Sequence, residues 1–86
     1  MRVLIPSPLR SYTGDAPAVA GAGSTLEELT RELDRRYPGI RFRVIDEQGR
    51  IRRHIKFFVN GVQRPDLNAA LGDDDEVMIV CALSGG

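Results

Sequence analysis

The spacing of hydrophobic and polar residues changes along this chain. These changes predict several strands and one main helix. The apolar run 3–5, rich in β-branched residues and ended by Pro6, predicts a first strand. Turn signals follow, and the segment "APAVA" predicts a second strand that Gly21 and Gly23 interrupt. The chain therefore begins with two short strands joined by an irregular segment.

The segment "STLEELTRELDRRYPG" carries the clearest helical pattern. Its apolar residues recur at helical intervals and would form one stripe: Leu26, Leu29, Leu33 and Tyr37. Ser24 and Glu27 have the spacing of a capping box, which predicts where the helix begins. Pro38 and Gly39 predict where it ends. Two i,i+4 ion pairs are also expected on its surface: Glu27 with Arg31, and Glu32 with Arg36.

The next part of the chain has patterns typical of strands. "IRFRVID", the turn "EQGR" and "IRRHIKFFVNG" predict a strand, a turn and a further strand. Four residues would share one face of that further strand: Ile51, Ile55, Phe57 and Val59. The alternation turns Phe58 to the opposite face. Asn60-Gly61 is a favoured hairpin turn pair, and "PDLNAALG" predicts one helical turn.

The segment "DDDEVMIVCAL" is an acidic lead into seven apolar residues. Such a long continuous run favours a strand at the centre of the sheet, buried on both faces. The order of elements predicts an α+β domain in which one main helix packs across a mixed sheet. We expect residues 1–82 to form this domain and residues 83–86 to form a flexible tail.

Composition excludes several classes of function. A chain of 86 residues makes one small domain with little room for a deep catalytic cleft. Twelve basic and twelve acidic residues balance, so no whole-molecule field draws the protein to nucleic acid or anionic lipid. A mean hydropathy of −0.21 argues against a membrane protein. Because the opening apolar run is too short for a signal peptide, we expect a cytoplasmic protein.

Few side chains offer catalytic or metal-binding chemistry. The single Cys81 excludes an internal disulfide and a cysteine-based zinc site. We interpret it as a small buried hydrophobe, and its position near the tail leaves a redox or acyl-transfer role open. The single His54 has no companions, which favours a surface position over a metal ligand. We therefore expect no catalytic residue and no metal site, and the carboxylates at 73–76 lack the spacing of a calcium loop.

The basic segment "RIRRHIK" and the aromatic Phe58 are candidates for contact with another molecule. The segment would form a solvated strand face or a nucleic-acid patch, and the balanced charge and scarce aromatics favour the solvated face. Together with the acidic run it could orient a protein partner. Phe58, on the far face, would either anchor an interface or be covered by a loop. The candidate partner-binding residues are Phe58, Arg52, His54 and Lys56, with neither nucleic acid nor membrane as the partner.

The diglycine at Gly85 and Gly86 offers chemistry of a different kind. A terminal glycine has no side chain to block attack on its carboxylate, and two glycines can thread a channel that any Cβ would obstruct. The carboxylate is a poor electrophile until it is converted to a mixed anhydride. The segment is therefore either a reactive group or a frayed end without consequence.

Several segments, in this order, resemble the ubiquitin-like β-grasp sulfur carriers of the MoaD/ThiS type. They are the helix, the strand "FFVNG", the acidic turn "LGDDDEV" and the strand "MIVCALSGG" that runs into the diglycine. The family includes the small subunit of molybdopterin synthase and the carrier of thiamin biosynthesis. Two further segments, "IPSPLRSYTGD" and "RRHIKFFVNG", look most like the carrier of thiocarboxylate-dependent cysteine biosynthesis.

The resemblance implies a β-grasp carrier that catalyses nothing itself and binds no cofactor. An E1-like ATP-dependent adenylyltransferase would adenylate the Gly86 carboxylate, a sulfur donor would displace AMP, and the thiocarboxylate would pass its sulfur to an acceptor synthase. Leu83, Ser84 and Gly85 would thread the tail into these partners, and Phe58 would lie among partner-facing residues of the sheet. Cys81 is a departure, since relatives often have proline shortly before the diglycine, and it leaves the exit path of the tail open.

Two other functions stay open at this point. A ubiquitin-like protein modifier would end in an isopeptide bond between Gly86 and a lysine, after the same activation chemistry. A nucleic-acid binding module would instead use the basic residues between Arg50 and Lys56.

Overall fold

One mixed sheet and a layer of helices make up the structure, a computed structural model that describes residues 1–82. The elements follow in chain order: β1 (Arg2–Leu4), a 3₁₀ helix (Ser7–Thr13), β2 (Ala18–Ala20), α1 (Leu26–Arg36), α2 (Ile40–Val44), β3 (Ile55–Val59), β4 (Val62–Gln63) and β5 (Glu76–Cys81). The strand order is β2-β1-β5-β3-β4, in which β1 and β5 run parallel and the other pairs antiparallel. The predicted α+β class, with one main helix across a mixed sheet, is confirmed.

The core lies between α1 and one face of the sheet. Leu26, Leu29 and Leu33 of α1 are each at most 2% exposed, as the leucine stripe predicts. The sheet contributes alternate residues of its three central strands, among them Val3, Phe57 and Val77. Gly21 permits the close approach of these two layers, because a Cβ there would lie 2.6 Å from Leu29 Cδ1 and 2.7 Å from Val3 Cγ2.

The N-cap of α1 lies one residue beyond the predicted one. Thr25, rather than Ser24, is the N-cap, and its Oγ1 accepts a hydrogen bond from the Glu28 N–H at 3.2 Å. The Glu28 carboxylate accepts hydrogen bonds from the N–H and the hydroxyl of Ser24, and these bonds lower the pKa of Glu28. The local polar residues of the segment thus satisfy donors at the helix start.

The segment predicted as a helical turn, residues 65–72, instead lies against the start of α1. The N–H groups of Leu26 and Glu27 donate to the carbonyls of Ala69 and Leu67, at 3.2 and 2.9 Å. Ala70 forms an isolated bridge with the N-cap of α1. The segment forms one hydrogen-bonded turn, in which the Ala69 N–H donates to the Asp66 carbonyl at 3.0 Å, but it forms no helix. The N–H groups at the start of α1 take up its Leu67 and Ala69 carbonyls instead.

The segment "IRFRVID", predicted as a strand, forms the short helix α2. Gly39 precedes it with a φ of 97°, and Ile40 and Val44, one turn apart, are both buried in the core. The Asp34 carboxylate accepts hydrogen bonds from the N–H groups of Gly39 and Arg41, which satisfies donors at the start of α2. These tertiary contacts override the strand propensity of the isoleucine, phenylalanine and valine side chains.

The strand that follows is shorter than predicted. Ile51 forms only an isolated bridge with Ile45, and the Ile55 N–H donates to the Arg52 carbonyl to close a turn before β3 begins. Within β3 the predicted core face is confirmed: Ile55, Phe57 and Val59 are buried. The predicted hairpin turn is also present, since residues 60 and 61 have φ values of 51° and 84° between β3 and β4.

β5 is the central strand, as its long apolar run predicts, but it is buried on one face only. Val77 and Ile79 face the core, whereas Met78 on the opposite face is 37% exposed. The prediction of burial on both faces was wrong because, in residues 1–82, the helices lie on a single side of the sheet. Every second residue of β5 therefore faces away from the core.

Arg41 connects α2 to α1 through two polar side chains. Its Nη2 donates to Glu27 Oε1 at 2.6 Å, and its Nε donates to Thr30 Oγ1 at 3.3 Å. The hydrogen bond from Arg41 is the main cause that lowers the pKa of Glu27, and burial opposes it. This pair links the two helices beside the core.

One of the two predicted ion pairs on α1 is present. Glu27 lies 3.7 Å from Arg31, as predicted, but Glu32 pairs with Arg35 at 2.6 Å rather than with Arg36. Arg36 instead donates to the Ala20 carbonyl of β2. Arg36 thus holds the end of α1 against the edge strand β2.

Replacing Leu29 by alanine should lower the free energy of unfolding by roughly 2 to 5 kcal/mol, because the side chain is fully buried and its removal leaves a cavity. Urea denaturation measures this loss. Val62→Ala is the matched control, since Val62 is 54% exposed and its truncation should cost less than about 0.5 kcal/mol. Equal losses in the two variants would contradict the assignment of the core face.

Replacing Glu27 by glutamine should destabilise the protein at neutral pH and lose that effect in acid. The pKa of Glu27 is lower in the folded state than its ordinary value of 4.5. Its contribution to stability is therefore present above that value and is lost as the pH falls through the folded pKa. Urea melts of wild type and E27Q should differ at about pH 7 and converge as the pH falls below the folded pKa of Glu27. A difference that does not depend on pH would contradict this, and the exposed Glu47→Gln is the control.

Candidate functional site

The four predicted partner-binding side chains lie on two different surfaces. Phe58 and Lys56 belong to β3 and point to the sheet face away from α1. Arg52 and His54 precede β3 and line a groove at the end of β5. The expected single strand face was wrong because the turn closed by the Ile55 N–H separates the arginines from β3. Arg52, Arg53 and Lys56 nevertheless line one further cavity together with Arg64, so part of the basic segment stays together.

The first surface, which we call the open sheet face, is the side of the sheet that the helices leave uncovered. Its centre is formed by apolar residues on neighbouring strands: Leu4, Phe58, Met78 and Val80. Met78 of β5 pairs with Leu4 on one side and with Phe58 on the other. Charged residues surround this centre: Arg2 pairs with Glu76, and Lys56 pairs with Val80. An apolar centre with a charged margin is typical of a protein interface.

Phe58 is half-buried. It is therefore neither fully exposed, as expected for an interface anchor, nor fully covered, as expected under a loop. Its strand neighbours cover part of the ring, and Met78 beside it is the more exposed apolar residue at this centre. Sequence reasoning missed Leu4, Met78 and Val80 because it treated β5 as buried on both faces. The signal was nevertheless present, since even-numbered residues of β5 must face opposite to Val77 and Ile79.

The second surface is a groove at the end of β5, which we call the tail-base groove. Its cavity volume is about 390 Å³, and its lining residues come from the 3₁₀ helix, α2, the turn before β3 and β5: Pro8, Leu9, Phe42, Arg43, Arg52, His54 and Cys81. Ala82, the last residue that the structure describes, donates its N–H to the His54 carbonyl at 2.7 Å. The groove therefore adjoins the point from which residues 83–86 continue.

Arg52 and Phe42 form the best-defined contact in this groove. The Arg52 guanidinium lies 4.6 Å from the centroid of the Phe42 ring, and its Nε donates to the Phe42 carbonyl at 2.7 Å. The Arg52 N–H also donates to the Val44 carbonyl. Phe42 is nonetheless 56% exposed. Sequence reasoning missed Phe42 because it placed the residue in a strand, although Ile40 and Val44 are spaced as core residues of a helix.

Cys81 is half-buried at the end of β5 and lines the same groove. Burial raises the pKa of its thiol, and the charge of Arg43 opposes that rise. A thiol with a raised pKa is a poor nucleophile at neutral pH, since the thiolate is the reactive form. This supports the interpretation of Cys81 as a packing residue.

The acidic run at 73–76 forms a turn built from its own hydrogen bonds. The Asp75 carboxylate accepts them from the Gly72 N–H and the Asn60 side-chain amide, which lowers the pKa of Asp75. In residues 1–82, no group of three or more histidine, cysteine, aspartate or glutamate side chains could hold a metal ion. No helix in this same range is long and apolar enough to cross a membrane. The residues predicted to carry and thread the reactive group, Leu83, Ser84, Gly85 and Gly86, lie outside the described part.

Comparison with known proteins identifies the family. Residues 3–86 match the ThiS family. Sulfur carrier protein CysO of Mycobacterium bovis is 34% identical over 89 residues, which cover 98% of this chain and 96% of the relative. The structure of the Amycolatopsis orientalis BexX/CysO complex gives a TM-score of 0.90 at 32% identity, covering 99% of this chain and 98% of that one. For SAMP1 of Haloferax volcanii the TM-score is 0.80 at 25% identity, covering 100% and 98%. The chain therefore belongs to the ThiS family, as a sulfur carrier with the ubiquitin-like β-grasp fold.

Proposed function

We propose that this protein carries sulfur as a thiocarboxylate on Gly86 and delivers it to an acceptor synthase of the cysteine-biosynthesis type. The main support is that the family match extends through residue 86 and so includes the diglycine. The near full-length similarity to CysO supports the cysteine type over the molybdopterin and thiamin types. The protein would act as a carrier rather than an enzyme, in the cytoplasm with its partners.

Loading of the carrier takes two covalent steps at the Gly86 carboxyl group. A carboxylate oxygen attacks the α-phosphorus of ATP on an E1-like adenylyltransferase, and pyrophosphate leaves. A sulfur nucleophile supplied by the donor then attacks the activated carbonyl carbon, and AMP leaves with the bonding electron pair. ATP is thus a substrate of the partner, and no cofactor is assigned to the carrier. Glycine suits the reacting position because it has no Cβ to obstruct either attack.

The open sheet face is the proposed docking surface for the activating enzyme. Its apolar centre, which includes Phe58 and Met78, would be covered on binding, and Lys56 at the margin would help to set the orientation. The Amycolatopsis orientalis CysO forms a complex with BexX, which supports a protein partner for this chain as well. Arg52 and His54 would contribute from the tail-base groove.

The modifier alternative has weaker support. SAMP1 shares the fold at 25% identity, below the 34% shared with CysO. Conjugates of this protein with lysine side chains in cell extracts would favour the modifier. A C-terminal thiocarboxylate without such conjugates would favour the carrier.

Deleting Gly86 should abolish adenylation, because the new terminal carboxylate on Gly85 would end one residue short of the reacting position. The fold should stay intact, because the deleted residue follows β5 in the sequence. ATP–pyrophosphate exchange with the host's adenylyltransferase and a thermal melt measure the two effects. An intact mass of the protein from its native cells should show one C-terminal oxygen replaced by sulfur. A truncated chain that is still adenylated at the wild-type rate would refute the proposal.

Replacing Phe58 by alanine should raise the Kd for the adenylyltransferase by roughly tenfold or more, as expected for an aromatic near the centre of an interface. The loss of stability should be smaller than for Leu29→Ala, because Phe58 is only half-buried. Titration calorimetry and urea melts separate the two effects. Val62→Ala, at the exposed edge strand and away from this centre, is the control. An unchanged Kd for F58A would remove Phe58 from the interface.

A further inference from the structure

The tail-base groove occupies a position that an enzyme acting on Gly86 cannot avoid. Residues 83–86 can span at most about 14 Å when fully extended. A partner that brings its reactive centre to the Gly86 carboxylate must therefore bring its own surface within that distance of Ala82. Ala82 is hydrogen bonded to His54, a residue of the groove wall. The groove thus lies at or beside the mouth of any channel that receives the tail.

The polar lining of this groove is entirely basic. Of the residues in 1–82, Arg43, Arg52 and His54 line it, and no aspartate or glutamate of that range does. Within residues 1–82, the ion pairs join Glu27 to two arginines of the helical layer and Glu32 to Arg35, so none neutralises the arginines of the groove.

Asp46 is an acidic residue that interacts electrostatically with Arg52 of the groove. Its pKa is lowered first by the hydrogen bond from the Arg50 N–H, and the charge of Arg52 adds to this effect. Asp46 Oδ1 accepts two backbone hydrogen bonds within its own turn, from the N–H groups of Gln48 and Arg50. Asp46 does not line the groove. The guanidinium groups of Arg43 and Arg52 can therefore bind a carboxylate from another molecule.

The rest of the groove is apolar and is held in place by its neighbours. Phe42 is 56% exposed on α2, and the Arg52 guanidinium stacks on its ring. Pro8 and Leu9 of the 3₁₀ helix also line it. An occupant of this groove would need an apolar side chain next to an acidic one.

We infer that the tail-base groove binds an acidic segment of the activating enzyme, at the rim of the channel that accepts the tail. This inference rests on the proposed function and adds to it the chemistry of the partner surface: carboxylates that meet Arg43 and Arg52, beside an apolar side chain that meets Phe42. A protein segment fits better than nucleic acid, because within residues 1–82 Phe42 and His54 are the only lining residues with an aromatic ring and the whole chain has zero formal net charge.

Charge reversal tests the inference directly. In ATP–pyrophosphate exchange with the host's adenylyltransferase, the double variant Arg43→Glu, Arg52→Glu should raise the KM for the carrier by about tenfold or more and leave kcat nearly unchanged. Added salt should weaken wild-type binding more than binding of this variant. Arg43→Glu alone should show a smaller rise, and it keeps the Arg52 contacts that could affect folding. Arg31→Glu, Arg35→Glu on the exposed surface of α1 is the control with the same change of charge.

Cys81 provides a second readout that does not depend on turnover. It is the single cysteine of the chain and lines the groove, so iodoacetamide labelling of the carrier, followed by mass spectrometry, reports on groove access. Saturating adenylyltransferase should slow labelling of wild-type Cys81 severalfold. The enzyme should protect Cys81 less in the double arginine variant at the same concentration.

The outcomes separate this inference from the proposed function. Wild-type protein that supports no exchange would refute the proposed function. Normal exchange by wild type, with the same KM for the groove variant and the α1 control, would refute binding of the adenylyltransferase at the groove. The proposed function would remain supported. Unchanged Cys81 labelling in the complex would also refute binding at the groove. A groove variant that keeps its KM but loses binding to a labelled single-stranded RNA would assign the groove to nucleic acid instead.

Discussion

The leucine stripe of α1 can be buried against only one face of the sheet, and the open sheet face follows from that constraint. The buried face takes Leu26, Leu29 and Leu33 together with alternate residues of the central strands. A domain of this size has no further helix in its described part to cover the other face, so the remaining alternate residues stay accessible. The open sheet face is thus a direct consequence of a one-sided core.

The position of β5 fixes the point from which residues 83–86 continue. β5 pairs with β1 on one side and with β3 on the other, so its backbone is held along its length. The hydrogen bond from Ala82 to His54 continues that attachment beyond the strand. The chain up to Ala82 is therefore held by backbone hydrogen bonds to its neighbours.

Charge is balanced over the whole chain but not along β5. The acidic residues 73–76 precede or begin the strand, and the basic tail-base groove lies at its other end. About 17 Å of strand separates them. The protein, although neutral overall, therefore has an acidic region at the start of β5 and a basic region at its end. A partner with complementary charges would bind it preferentially in one orientation.

The sequence by itself determined the elements whose signals are local. The leucine stripe of α1, the Asn60-Gly61 hairpin turn and the central position of β5 follow from periodicity, turn chemistry and a long apolar run, and the diglycine with its neighbouring segments indicated the family. Tertiary structure decided the rest. Residues 40–44 have strand-like side chains but became a helix, because Gly39, Asp34 and the core favour burial of Ile40 and Val44 on one turn. The tail-base groove joins Phe42, Arg52 and Cys81, which are far apart in the sequence, so only the packing of α2 beside the end of β5 could bring them together.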